Sequence, residues 1–142
     1  MYYDDLKIGM NIDIENVLIK EEEMIDFSLK YDNVPLHTDK EYAKNTPFKK
    51  LIAPGVMSFM VVWNKYLEND FFGSELLAGK STKIEWLKPV FANDLLHANA
   101  AIINLEKRNP KNGLAVLEFK VYNQNNELVL TNITEAIVKC KI

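Results

Sequence analysis

Val56-Met57-Ser58-Phe59-Met60-Val61-Val62-Trp63-Asn64-Lys65-Tyr66-Leu67-Glu68-Asn69 is the stretch that decides the fold. Val56, Phe59, Met60, Trp63 and Leu67 recur at i, i+3, i+4, i+7 and i+11, the spacing of one helical face. Met57, Val61 and Val62 fill the other faces, so the predicted helix, about 56–69, is apolar nearly all round. Such a helix is buried rather than laid on a surface. In a chain of 142 residues, which is one domain (1–142), the available cover is a β-sheet wrapped around it.

The strands for that sheet follow the helix. Lys80 to Leu87 reads as one strand, ending at Lys88-Pro89. Asp94 to Lys107 is a long one, with Leu96, Ala98, Ala100 and Ile102 on one alternating set. Asn109-Pro110-Lys111-Asn112-Gly113 is a strong hairpin turn. Leu114 to Tyr122 carries Ala115, Leu117, Phe119 and Val121 on one face, and a turn at Asn123 to Asn126 leads into Leu128 to Lys139. The C-terminal half is therefore an antiparallel meander.

Ahead of the helix, Asn11 to Leu18 alternates Ile12 and Ile14 with polar neighbours and reads as a strand. Glu21-Glu22-Glu23 opens a helix, since three acids in a first turn complement the positive end of the dipole. Met24, Phe27 and Tyr31 are expected on its inner face. Thr38 to Lys50 is polar and fits one helical turn plus loop. Runs of helix followed by runs of strand, with one sheet around one helix, make the class α+β.

Composition narrows the function. Hydrophobic residues are 48% and charged residues 26%, as in soluble globular proteins. Net charge is −3, and Arg108 is the only arginine beside sixteen lysines, which argues against nucleic acid as a partner. His37, His97 and Cys140 show no metal-ligand spacing, and one cysteine forms no intrachain disulfide. The start, Met1-Tyr2-Tyr3-Asp4-Asp5, is acidic where a secretory peptide is basic and then apolar, and no apolar run spans a bilayer. A cytoplasmic location without membrane association is expected.

The chemistry-bearing segment is Tyr31-Asp32-Asn33-Val34-Pro35-Leu36-His37-Thr38. Val34 precedes a proline and is driven out of the α region, so the helix stops near Asp32 and the chain reverses. A carboxylate and an imidazole then face one point, as proton transfer at neutral pH requires. The same spacing also suits a helix cap and an ordinary surface imidazole. Pro54-Gly55 likewise suits a plain helix start as well as a ligand-facing one.

Taken together and in order, these segments resemble the MaoC-like dehydratases, the (R)-specific enoyl-CoA hydratase group of the hot-dog superfamily. The family pattern Asp-x-Asn-Pro-(Leu/Ile)-His is similar to Asp32-Asn33-Val34-Pro35-Leu36-His37. Its small-residue–Gly step into the central helix is similar to Ile52-Ala53-Pro54-Gly55-Val56-Met57. Lys88-Pro89-Val90-Phe91-Ala92-Asn93-Asp94 matches a basic residue–Pro-Val segment ending at Asp. Two positions depart: the usual Asn is Val34, and the His often found before the glycine is Pro54.

The resemblance implies a hot-dog fold and interconversion of trans-2-enoyl and (R)-3-hydroxyacyl thioesters, within fatty acid metabolism. Asp32 and His37 would activate water, and Gly55 would let backbone donors approach the thioester oxygen. Val34, Pro54, Val56 and Ser58 are expected around the substrate, and Ser58 near Asp32. No cofactor is implied, because the substrate carries its own coenzyme A or phosphopantetheine. Lys49, Lys50 and Lys88 suit either coenzyme A phosphates or plain solvation. A symmetric homodimer with continuous sheets is expected, because the helix is too apolar for one small chain to cover. Two alternatives stand beside this: a hot-dog thioesterase, which would typically carry Asp-x-x-Gly-His, and a non-catalytic acyl-CoA-binding hot-dog protein.

Overall fold

The computed structural model describes residues 1–142. Its sheet holds β1 (Asn11–Leu18), β2 (Leu76–Trp86), β3 (Leu95–Lys107), β4 (Asn112–Tyr122) and β5 (Leu128–Lys139), in the order β1-β3-β4-β5-β2. Every neighbouring pair is antiparallel. Four helices precede β2: α1 (Glu21–Tyr31), α2 (Pro35–Thr38), α3 (Lys40–Lys44) and α4 (Gly55–Glu68). This is the expected α+β hot-dog arrangement, with the sheet curved around α4.

The meander forms where alternation and turn chemistry place it. Leu96, Ala98, Ala100 and Ile102 on β3, and Ala115, Leu117, Phe119 and Val121 on β4, are all buried. Asn109 ties the β3–β4 turn by accepting at Oδ1 from the N–H groups of Lys111 (2.8 Å) and Asn112 (3.0 Å). Asn123 does the same for β4–β5, accepting from Asn125 (2.9 Å) and Glu127 (3.1 Å). Side-chain acceptors of this kind replace backbone partners and make asparagine a turn residue.

One strand boundary needs correction. β2 starts at Leu76 rather than Lys80. Its first residues include Ala78 and Gly79, weak strand formers, and the register slips at both Leu76/Ala78 and Gly79/Ser81, as glycine in a strand often signals. As its excess of apolar residues implies, α4 is not covered all round within one chain. Met57, Ser58, Phe59, Val62 and Tyr66 are buried, whereas Val56, Met60 and Leu67 are exposed. One five-stranded sheet covers one side of a helix cylinder, so the excess apolar residues are left outside. A smaller shift occurs in α1, where Met24 and Ser28 form the inward pair and Tyr31 is exposed. Burial of Ser28 is tolerated because its hydroxyl donates to the Met24 carbonyl at 2.7 Å. No helix is long and apolar enough to cross a membrane.

Candidate active site

Asp32 is the residue that ends α1, with φ −153° and ψ 63°, and its N–H still reaches the Ser28 carbonyl at 2.9 Å. Val34 is extended (φ −121°, ψ 146°), as a residue before proline must be, and Pro35 occupies the first position of α2. That single turn of helix carries His37 back toward Asp32. Nε2 of His37 lies 3.3 Å from Oδ2 of Asp32.

His37 is not the surface group that a turn position implies; it is buried. Its Nδ1 sits 2.7 Å from the carbonyl of Ile52. A carbonyl only accepts, so Nδ1 carries the proton and donates, which fixes both the tautomer and the ring plane. Nε2 is then the nitrogen left free to exchange a proton. The Asp32 side chain remains 46% accessible, against 9% for His37, so the carboxylate faces the solvent side of the pair.

The Ile52 carbonyl is itself held in place. The Ile52 N–H donates to the Leu36 carbonyl at 3.4 Å, and the Ala53 N–H donates to the Val90 carbonyl at 2.7 Å. Residues 51–53 are thus strapped between α2 and the segment before β3, and they deliver Pro54 and Gly55 beside His37. The first three N–H groups of α4, those of Gly55, Val56 and Met57, have no partner within the helix. They form a patch of positive potential at the site, suited to an oxygen that gains negative charge.

A cleft of about 490 Å³ joins these parts, with Asp32, His37, Gly55, Val56, Ser58 and Trp86 among its walls. Its interior is mostly apolar, lined also by Phe48, Ile52, Leu87 and Val90. Of the expected substrate contacts, Val56 and Ser58 line the cleft, while Val34 and Pro54 do not. Val34 is 41% exposed and serves backbone geometry, its carbonyl accepting from the His37 N–H at 3.0 Å. Pro54 accepts at its carbonyl from Ser58 N–H (3.1 Å) and Ser58 Oγ (3.4 Å), so the serine hydroxyl is turned to the helix rather than to Asp32.

Lys88 stands on the cleft wall and is ion-paired with Glu127, whose carboxyl it holds below the usual carboxylate range. Lys50 instead lies over the Phe91 ring, 4.3 Å from its centroid. His97 stacks on Tyr122 (5.3 Å, 15°) and bonds Asn126 through Nε2 at 3.1 Å, away from the cleft. Trp86 was not expected at the site. It is an exposed aromatic at a strand end, and no sequence spacing connects it to Gly55; only the fold brings them together.

A curved antiparallel sheet around α4, with an aspartate–histidine pair beside the helix start, defines a hot-dog protein. Residues 5–122 match the MaoC like domain, and the chain belongs to that family of MaoC-like dehydratases. Among solved structures, a monoamine oxidase regulatory protein from Archaeoglobus fulgidus superposes with a TM-score of 0.95 at 29% identity, over 100% of this chain and 96% of that one. An (R)-hydratase from A. caviae involved in PHA biosynthesis superposes with a TM-score of 0.76 at 25% identity, over 96% and 98%. An uncharacterized protein of Bacillus subtilis, YdeM, is 21% identical over 140 residues, which are 98% of this chain and 99% of that protein.

Proposed function

We propose that this protein is a hydratase/dehydratase that interconverts trans-2-enoyl and (R)-3-hydroxyacyl thioesters. The observation that carries this reading is the Asp32–His37 pair at 3.3 Å, in the wall of an apolar cleft that also takes in the start of α4. In hydration, a water oxygen bonds to Cβ, one water proton leaves to the pair, and a proton is delivered to Cα. The sum is addition of H and OH across the double bond. Proton exchange at His37 runs through Nε2, because Nδ1 is committed to Ile52. Negative charge that builds on the thioester oxygen meets the N–H groups at the start of α4.

The reading is tested with crotonyl-CoA, following loss of the enoyl absorbance and release of free thiol in parallel. Loss without thiol supports hydration. Thiol release would make the protein a thioesterase, and neither change, together with tight thioester binding, would make it a binding protein.

The proposal includes a homodimer. In β2, an edge strand, all residues but Leu76 and Ile84 are exposed, and Val56, Met60 and Leu67 on α4 are exposed beside it. An uncovered edge next to an apolar helix face is what strand pairing between two copies would cover. A stable monomer in sedimentation at micromolar concentration would contradict this.

A further inference from the structure

Gly55 begins α4, and the space a side chain would occupy there is taken by the indole of Trp86. A Cβ on Gly55 would stand 2.3 Å from both Cε2 and Nε1 of that ring and 2.8 Å from Cζ2. The ring edge that carries the N–H therefore lies against the first turn of the helix. An indole nitrogen only donates, and this one has no hydrogen-bond partner within the protein, although Trp86 lines the cleft with Asp32 and His37. The backbone beneath it is firmly held: Trp86 pairs with Leu130 across β2 and β5, and the next N–H, that of Leu87, donates to the Val129 carbonyl at 2.8 Å. Trp86 shares the cleft wall with Gly55, Asp32 and His37, so a ligand that enters the cleft meets the ring.

We infer that the Nε1–H of Trp86 is a hydrogen-bond donor to the carbonyl oxygen of the bound thioester, working beside the first N–H groups of α4. This rests on the reading of the cleft as an enoyl thioester site. Gly55 then has a different role from the one its small size first implies. Its missing Cβ admits the indole, and the indole brings a donor to the place where charge develops. A side-chain donor and backbone donors converging on one oxygen is the arrangement that stabilises an enolate-like transition state.

Trp86→Phe keeps a flat aromatic ring, though a smaller one, and removes the donor. Loss of one donor to a developing oxyanion lowers kcat by about a hundredfold to a thousandfold in enclosed sites. Because backbone N–H groups of α4 share the same oxygen, the expected loss here is about tenfold to a hundredfold, with KM little changed. The pH profile should keep its shape, because the indole does not titrate; a variant that merely disturbed Asp32 and His37 would shift it. Trp86→Gln, which restores an N–H without a ring, should recover part of the rate.

A second readout needs no turnover. With Asp32→Asn as background, 2,4-hexadienoyl-CoA should show a red-shifted absorbance when bound, because donors to the carbonyl oxygen polarise the conjugated system. Adding Trp86→Phe should shrink that shift while the thermal midpoint stays that of the background. Full kcat and an undiminished red shift in Trp86→Phe would overturn the inference and leave the hydratase reading standing. Absence of both turnover and bound spectrum in proteins that carry Trp86 would overturn the hydratase reading, and this inference with it.

Discussion

The two ends of α4 are built for different purposes. Beyond its first turn, toward the C-terminal end, one face of the helix is sealed against the sheet. Phe119 of β4 meets Phe59 edge-on at 5.5 Å, Tyr66 at 5.2 Å and Trp63 at 5.8 Å, and Tyr66 also packs on Phe72 at 6.5 Å. At its N-terminal end the helix is open, with unpaired N–H groups, an exposed indole and a carboxylate–imidazole pair around a cleft. Packing at one end holds the helix rigid so that donors at the other end need not move during reaction. Changes at the closed end should therefore act on stability, and changes at the open end on rate.

The largest effects are expected at the open end. Asp32→Asn should lower the hydration rate by about a hundredfold to ten-thousandfold, the range for a positioned proton-transfer group. The thermal midpoint should hardly move, because Asp32 is half exposed and serves no core contact. His37 differs in this respect: His37→Ala also strips the donor from the partly buried Ile52 carbonyl, at a cost of about 1–3 kcal/mol. His37→Asn, which can keep a donor near the Nδ1 position, is the better probe and should separate rate from stability. A melt of each variant alongside its rate would show whether the two ends of α4 govern stability and rate separately.

At the closed end, Phe119→Ala should destabilise the fold by about 3–5 kcal/mol, the usual range for removing a buried aromatic ring. Molecules still folded should retain their affinity for the thioester. A loss of affinity larger than the loss of stability would show that the ends are not separate.

Tyr66→Phe sharpens the comparison with the smallest effect. The Tyr66 hydroxyl is buried without a partner, the one such side-chain atom in the chain. Removing it should leave stability unchanged or raise it by up to about 1 kcal/mol, because an unsatisfied polar group disappears. Burial pushes the Tyr66 phenol well above the ordinary tyrosine range. The folded state thus holds its proton at a pH where the unfolded chain has released it. Stability from this group is full below pH 10.0, the ordinary value, and falls as pH rises above it. Denaturant titrations between neutral pH and the alkaline range should show that decline in the parent and a flatter curve in Tyr66→Phe.

Much of the closed end was legible in the sequence. Alternation in 94–107 and 114–122 names its strand residues, and the asparagine turns set the meander's connections. Burial there depends on local periodicity, which a sequence displays directly. At the open end the same reading reached Asp32 and His37, because a proline forces the reversal that joins them. It could not reach the Ile52 carbonyl, the anchor of His37, which lies fifteen residues away and acts through backbone. Nor could it reach Trp86, thirty-one residues beyond Gly55, which arrives through the pairing of β2 with β5. The helical period of α4 correctly marks an apolar cylinder, yet period alone does not say which side a second body must cover. Val34 was marked by its departure from a family pattern, and in the fold it shapes the turn without lining the cleft.

The central claim is that Asp32 and His37 act together on one substrate in one cleft. Groups that share a single proton-transfer task lose their effect as a unit, so their losses do not multiply. The most direct measurement is kcat/KM for hydration of crotonyl-CoA by the parent, Asp32→Asn, His37→Asn and the double variant. The prediction is that each single variant falls by at least about a hundredfold and that the double variant lies within a few-fold of the slower single one. Losses that multiply in the double variant, or either single variant turning over near the parent rate, would contradict it.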